Sequence, residues 1–108
     1  MTIEELQREA HETACVKGWW DNPREILSQL MLMVTELAEA AEECRVTEDI
    51  ASWCAINGKP EGFPIELADC IIRIADTAQR YGIDLTEALR VKMDFNKTRP
   101  HRHGGKLA

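Results

Sequence analysis

Apolar residues recur along most of this chain at the three- and four-residue spacing that is typical of α-helices. Two segments carry the clearest stripes: Leu30, Val34, Leu37 and Ala41, then Leu67, Ile71, Ile74 and Ala78. No alternation of apolar and polar residues runs long enough to indicate a strand. The pattern predicts an all-α fold in which each stripe is the buried face of a helix.

Capping residues predict where the first two helices begin. The capping box Thr2-Ile-Glu-Glu5 predicts a first helix that runs to about Lys17. Asn22 followed by Pro23 predicts the N-cap and first residue of a second helix, which should run to about Arg45.

Two further helices follow a weakly patterned connection at residues 46–62. Pro64 begins a third helix, which is predicted to end at Tyr81 before a glycine, and Asp84 caps a fourth that reaches about Asn96. Within the connection, Asn57-Gly58 marks a turn, and a short helix is expected near residues 48–55.

Charge is distributed unevenly along the 108 residues, whose net charge is −6. Residues 1–70 hold 5 Lys/Arg against 15 Asp/Glu, a balance of −10, whereas residues 71–108 hold 8 against 4, a balance of +4. An acidic body argues against a nucleic-acid-binding protein, whose main face would be basic. We interpret residues 1–98 as one domain and residues 99–108 as a basic tail suited to an anionic ligand.

Several protein classes are disfavoured by composition. No apolar run approaches the roughly 20 residues of a membrane span, and residues 1–12 are amphipathic and acidic, unlike a signal peptide. The four cysteines lack C-x-x-C spacing, which favours free thiols in a reducing compartment over a disulfide or zinc site. We therefore expect a soluble, cytoplasmic protein with no membrane partner.

Two pairs of acids stand out, Glu36 with Glu39 and Glu66 with Asp69. Residues three apart on a helix are neighbours, so each pair presents two carboxylates to one side. If the two helices pack face to face, four carboxylates gather, and hard divalent cations such as Mg²⁺ prefer oxygen ligands. The alternative is that these acids form the solvated face of two amphipathic helices.

Crowding argues against a merely solvated face on the second helix. Glu36, Glu39, Glu42 and Glu43 occupy two turns with no basic residue before Arg45. Like charges at this spacing repel by a few tenths of a kcal/mol each, on the order of an ordinary helical ion pair. Spacing alone nevertheless leaves both interpretations open.

The paired motif Glu36-x-x-Glu39 and Glu66-x-x-Asp69 resembles that of the MazG-like nucleoside triphosphate pyrophosphohydrolases, a family of the all-α NTP pyrophosphatase superfamily. Gly18-Trp19-Trp20 and the tail from Asn96 to Lys106 are similar to small members of this family. The resemblance implies a four- to five-helix bundle assembled as a dimer or dimer of dimers. It also implies Mg²⁺-dependent cleavage of a nucleoside triphosphate to the monophosphate and pyrophosphate, with Mn²⁺ as a substitute.

Roles of individual acids follow from the resemblance. It implies that Glu36, Glu39, Glu66 and Asp69 are metal ligands, with Glu36 and Glu39 among the catalytic residues. Some members have a further glutamate where this chain has Thr35, which leaves the number of metal ions open. Glu43, one turn on, is a candidate for a further ligand or a base that orients water.

Further candidates would bind the nucleotide. Trp19 and Trp20 are either core residues or a stacking surface for the base. Lys92 and Asn96 lie one turn apart and are candidates for holding phosphate or sugar oxygens. A basic group in the tail is expected to close on the triphosphate, either within the chain or across a subunit boundary: Arg99, Arg102 and Lys106.

No nucleophilic side chain is expected, because no serine or cysteine has a recognisable histidine partner in the sequence. His11 and Cys15 share a helix face and are interpreted as core or rim residues. Two other functions stay open: a non-catalytic helical binding or dimerisation module, and a hydrolase for a phosphorylated intermediate or alarmone-like nucleotide. The preferred base and sugar are also open.

Overall fold

The computed structural model describes residues 1–107, except for the side chain of His103. The chain is predominantly helical, as predicted, and adds one small sheet. Its elements, in order, are α1 Ile3–Val16, α2 Ile26–Val46, β1 Cys54–Ile56, β2 Lys59–Glu61, α3 Phe63–Arg80, α4 Leu85–Thr98 and α5 Arg102–Gly105. Within residues 1–107, none of the helices combines the length and apolar character that a membrane crossing requires.

Two predicted helix caps are confirmed. Thr2 Oγ1 accepts a hydrogen bond from the backbone N–H of Glu5 at 3.0 Å, and Asp84 Oδ1 accepts one from Glu87 N–H at 3.1 Å. Each bond satisfies one of the backbone donors that the first turn of a helix leaves unpaired. The sequence signal and the structure agree here because a cap depends on only four consecutive residues.

The predicted start of α2 is wrong by several residues. Asn22 and Pro23 lie in an irregular segment, and the helix begins at Ile26 after an extended Glu25 that makes no side-chain cap. The Arg24 side chain holds this segment to the end of the preceding turn, since its Nε donates to the carbonyl oxygen of Trp19 at 2.7 Å.

A β-hairpin replaces the short helix expected near residues 48–55. Strands β1 and β2 are antiparallel, with Ile56 opposite Lys59. Asn57 and Gly58 connect them with φ values of 53° and 81°, the positive values that a two-residue type I′ turn requires. The Asn57-Gly58 turn was predicted correctly, but the strands beside it were missed because each has only three residues.

Helix α3 lies between α1 and α2 and contacts both. The buried apolar residues are small, which allows the helices to approach closely: Ala10, Ala40, Cys70, Ala75 and Ala78. Gln7 of α1 fixes the start of α4, because its Nε2 donates to the Ile83 carbonyl at 2.7 Å and its Oε1 accepts from Leu85 N–H at 3.2 Å. The tail forms the single turn α5 after Pro100.

The predicted burial of the two apolar stripes is wrong for the single chain. Val34 and Leu37 of α2 are each 51% exposed, and Ile71 of α3 is 53% exposed, although Ala78 is buried. Helices α2 and α3 instead bury the sides that carry Glu36 and Glu66. Periodicity identifies the faces of a helix, but which face a neighbour covers depends on the rest of the fold.

Candidate metal centre

Three of the predicted carboxylates converge between α2 and α3. Oxygen atoms of Glu36, Glu39 and Glu66 all lie within 4.8 Å of one another. Glu36 is 6% exposed and Glu66 is 7% exposed, whereas Glu39 is open to solvent. The convergence follows from the three-residue spacing on α2, which aims two carboxylates at the facing helix.

Glu66 lies in the least favourable position for a negative charge. Burial, its hydrogen bond with Glu39 and the charges of Glu39, Asp69 and Glu36 together raise the pKa of Glu66 from 4.5 to about 7. Its Oε2 is buried and has no hydrogen-bond partner among the described residues. A buried carboxylate oxygen without a partner is costly, so the ionised form of Glu66 is disfavoured.

Asp69 lies at the margin of this group. It lines a cavity together with Glu36 and is partly exposed, but it is not one of the three acids with oxygens within 4.8 Å. Burial and then the charge of Glu36 raise the pKa of Asp69, while Arg73 opposes this shift. Asp69 therefore shares the electrostatic environment of the other three acids at a greater separation.

Arg73 is a member of the site that sequence reasoning missed. Its Nε donates to Glu36 Oε1 at 2.6 Å, and the Glu36 carboxylate is only 8% exposed. The signal was present, because Arg73 lies four residues after Asp69 on the same face of α3. The ion pair provides partial charge neutralisation within the protein itself.

A second group of acids adjoins the first. Oxygen atoms of Glu43, Glu61 and Glu66 also lie within 4.8 Å of one another, so that Glu66 belongs to both groups. Glu43 is where a further ligand or base was predicted. Glu61 could not be predicted as a neighbour, because it reaches the site on strand β2, which was itself missed; it also pairs with Lys59 at 3.2 Å.

The two groups of acids offer only oxygen atoms as ligands. Glu66 belongs to both groups, and its Oε2 has no hydrogen-bond partner among the described residues. This donor set fits a hard divalent cation, which takes carboxylate and water oxygens. The residues do not discriminate one such cation from another.

The two tryptophans have different environments. Trp20 is partly buried and packs within the chain, since its Nε1 donates to Asp76 Oδ1 at 2.9 Å and its ring meets those of His11 and Tyr81 edge-on. Trp19 is 46% exposed and lines the cavity that Glu36 and Asp69 also line.

Cys15 and His11 are in contact, but not in the arrangement of a nucleophile and its base. Cys15 Sγ lies 3.5 Å from His11 Nε2, and His11 Nδ1 lies 2.8 Å from Asp76 Oδ1. The same sulfur is 3.9 Å from Nδ1, so it lies beside the ring and not along the lone pair of Nε2. That position does not match the alignment of a nucleophile with its general base.

The predicted nucleotide-binding residues of α4 and the tail lie elsewhere in the chain. Helix α4 packs on α1, and Lys92 and Arg99 both lie beside the ring of Phe95, at 5.1 and 5.7 Å. The cavity beside the carboxylates is lined by α1, α2, α3 and the turn at Trp19. The residues that the structure does not bring to this cavity are Lys92, Asn96, Arg99, Arg102 and Lys106.

Comparison with known proteins gives no family assignment, since neither the family models nor the curated proteins that were searched match this chain.

Proposed function

We propose that this protein is a Mg²⁺-dependent nucleoside triphosphate pyrophosphohydrolase that releases a nucleoside monophosphate and pyrophosphate. The observation that carries the proposal is the convergence of the buried Glu36 and Glu66 with the exposed Glu39, in which one carboxylate oxygen of Glu66 has no partner among the described residues. Such a group is unfavourable without a cation, and Mg²⁺ bound by carboxylates keeps coordination positions for substrate phosphates. Mn²⁺ is expected to substitute.

The residues divide the chemical work between them. Glu36, Glu39 and Glu66, with Asp69 at the margin, would hold the cation. Bound Mg²⁺ supplies charge neutralisation for the triphosphate and lowers the pKa of a water molecule. Glu43, a carboxylate beside this group, would accept a proton from the attacking water. The water oxygen bonds to phosphorus as the bond to the leaving pyrophosphate breaks.

Arg73 is the cationic side chain that pairs with Glu36, while Lys59 pairs with Glu61. The Arg73 guanidinium is 30% exposed, so it is accessible to a phosphate oxygen. Phosphoryl transfer depends mainly on positioning and on charge stabilisation, so the reaction needs no nucleophilic side chain.

We also propose that the protein acts as a homodimer or a dimer of dimers. Several apolar side chains of α2 and α3 are exposed, which is typical of a surface that another protomer covers. Helix α4 also has no fully buried side chain within its own chain. In such an assembly Lys92, Asn96 and the basic tail of one protomer would reach the carboxylates of another.

The test is a panel of ribo- and deoxyribonucleoside triphosphates incubated with Mg²⁺, with pyrophosphate release as the readout. Glu39→Gln should remove activity, since it deletes a proposed ligand that is exposed and therefore dispensable for folding. Glu42→Gln, on the same helix but 71% exposed at its side chain, is the matched control. Absence of release from every nucleotide by the wild-type protein would end the proposal.

A non-catalytic dimerisation module is the second candidate, and two observations favour it. The apolar stripes are exposed, and Arg73 already neutralises Glu36 without a metal ion. This function predicts that Mg²⁺ leaves the melting temperature unchanged, and that Asp69→Asn leaves stability unchanged or improves it. A hydrolase for another phosphorylated compound would instead show Mg²⁺ binding without nucleotide cleavage.

A further inference from the structure

A cavity of about 460 Å³ adjoins the carboxylates, between α1, α2 and α3. Glu36 belongs both to its wall and to the acidic group, and Asp69, at the margin of that group, also lines the cavity. The volume lies within the range of pockets that bind small molecules. A ligand whose phosphates occupy the acidic site would therefore extend its other end into this cavity.

Most of the cavity surface is apolar, although polar and charged side chains also line it, among them Glu9, Lys17 and Arg73. Its small or apolar residues include Leu6, Ala10, Ala14 and Ile72. An apolar wall with a few well-placed polar groups is the usual composition of a site for a flat heterocycle. The polar groups should then decide which heterocycle binds.

Gln29 is the polar residue of the wall whose hydrogen bonding is incomplete. It is 7% exposed, and its Nε2 is buried with no acceptor among the described residues. A buried donor without an acceptor is destabilising, so such groups in native proteins call for an explanation. A ligand atom that accepts from this amide would provide one.

Asp76 supplies the complementary acceptor on the same wall. Its Oδ1 accepts from His11 Nδ1 at 2.8 Å and from Trp20 Nε1 at 2.9 Å, which holds the carboxylate in place. An ionised carboxylate has about four acceptor positions, so capacity remains for a ligand donor. Gln29 thus offers a donor and Asp76 an acceptor in one cavity, the two kinds of group that a nucleobase edge can pair with.

We infer that this cavity receives the base of the nucleotide and that Gln29 is a specificity-determining residue that hydrogen-bonds the edge of the base. The inference rests on the proposed hydrolase function. Stacking on Trp19 is a weaker explanation, because the guanidinium groups of Arg24 and Arg73 already lie 5.3 and 5.5 Å from its ring.

The experiment compares two substrates in wild type and in Gln29→Met, which keeps the length of the side chain but removes the amide. One substrate is the nucleoside triphosphate that the wild type cleaves best, and the other is the same pentose 5′-triphosphate without a base. We expect kcat/KM for the nucleotide to fall about tenfold or more, the loss of one good hydrogen bond. The value for the base-free substrate should stay within about twofold, because no hydrogen bond to a base is lost there.

The control is Gln79→Met, since the Gln79 side chain lies outside this cavity and meets Gln7 in a separate pocket near the start of α4. Gln29→Met should also fold normally and melt at a higher temperature without ligand, because it removes an unpaired buried donor. Gln29→Leu is a second variant with the same expectation if methionine packs poorly.

The outcomes separate the inference from the function on which it rests. A selective loss for the nucleotide supports both. Cleavage by the wild type, with Gln29→Met changing both substrates equally or neither, overturns the role of Gln29 and keeps the hydrolase. A wild type that cleaves no nucleotide overturns both.

Discussion

Replacing Glu66 by glutamine is the most direct physical test of the acidic site. Glutamine resembles the protonated carboxyl in shape and still donates a hydrogen bond to Glu39, but it carries no charge. Without divalent cations this change should stabilise the protein at neutral and alkaline pH, although it removes a proposed metal ligand.

The magnitude follows from the environment of the carboxyl. Burial and the neighbouring acids raise the pKa of Glu66 from 4.5 to about 7. A difference of this size corresponds to about 3 kcal/mol of unfavourable free energy in the ionised form. Because unfolded chains and side-chain rearrangement relieve part of the penalty, we expect Glu66→Gln to gain about 2–3 kcal/mol at pH 8.

The pH dependence has a definite sign. A carboxyl whose pKa is higher in the folded protein binds its proton more tightly there, so it contributes most stability below pH 4.5 and loses this contribution as pH rises through 7. The stability difference between Glu66→Gln and wild type should therefore grow from near zero at pH 4.5 to its full value at pH 8. Burial also raises the pKa of Asp69. The stability of the Glu66→Gln variant should therefore still fall with rising pH, but less steeply than that of the wild type.

The assay is urea unfolding of both proteins at pH 4.5, 6 and 8 in EDTA, repeated at pH 8 with Mg²⁺. Mg²⁺ at 100 times its Kd would add about 2.7 kcal/mol to the wild type, and the gain should be much smaller in Glu66→Gln. Glu42→Gln is the control, because this exposed acid has no comparable environment. Equal stability of the variant and the wild type at pH 8 in EDTA would refute the reasoning, since the Glu66 charge would then carry no penalty.

Three further substitutions test other parts of the structure. Leu67→Glu places a charge on the exposed apolar stripe, so it should shift an oligomer toward monomer in analytical ultracentrifugation without unfolding the chain; an unchanged sedimentation coefficient would contradict the proposed interface. Gly62→Ala should lower the stability of the protein by about 1–3 kcal/mol in thermal melts. Gly62 has φ 133°, and a Cβ there would lie 3.0 Å from the Ser52 carbonyl oxygen. An unchanged Tm would show that the hairpin can shift to make room for the methyl group. Asp84→Ala should cost about 1 kcal/mol by removing the cap on Glu87 N–H, whereas Asp84→Asn, which can still cap, should cost less.

The sequence predicted those features of the fold that depend on neighbouring residues. The Thr2 and Asp84 caps each involve four consecutive residues, and the turn at Asn57-Gly58 involves two. In each case a capping side chain, or a residue that tolerates a positive φ, determines the conformation of its immediate neighbours. The strands of the hairpin were missed because three-residue strands carry too little pattern to outweigh a helical interpretation.

The sequence also predicted that Glu36, Glu39 and Glu66 lie near one another, but it grouped Asp69 with them and missed Glu61. The spacing of Glu36 and Glu39 determines that both face one way, and Glu66 follows the same rule on α3. The participation of Arg73 and Glu61 depends on contacts between elements far apart in sequence, 37 residues in the case of Arg73 and Glu36. The face of α3 on which Arg73 lies can be predicted from the sequence, but its pairing with Glu36 cannot.

Only the tertiary structure decided which faces of α2 and α3 are covered. Both helices have an acidic side and an apolar side, and simple burial of apolar area favours covering the second. In this chain the sides of Glu36 and Glu66 face each other, while Leu37 and Ile71 remain exposed. Periodicity defines two faces from residues within one helix, but the choice between them depends on the packing of all the helices together.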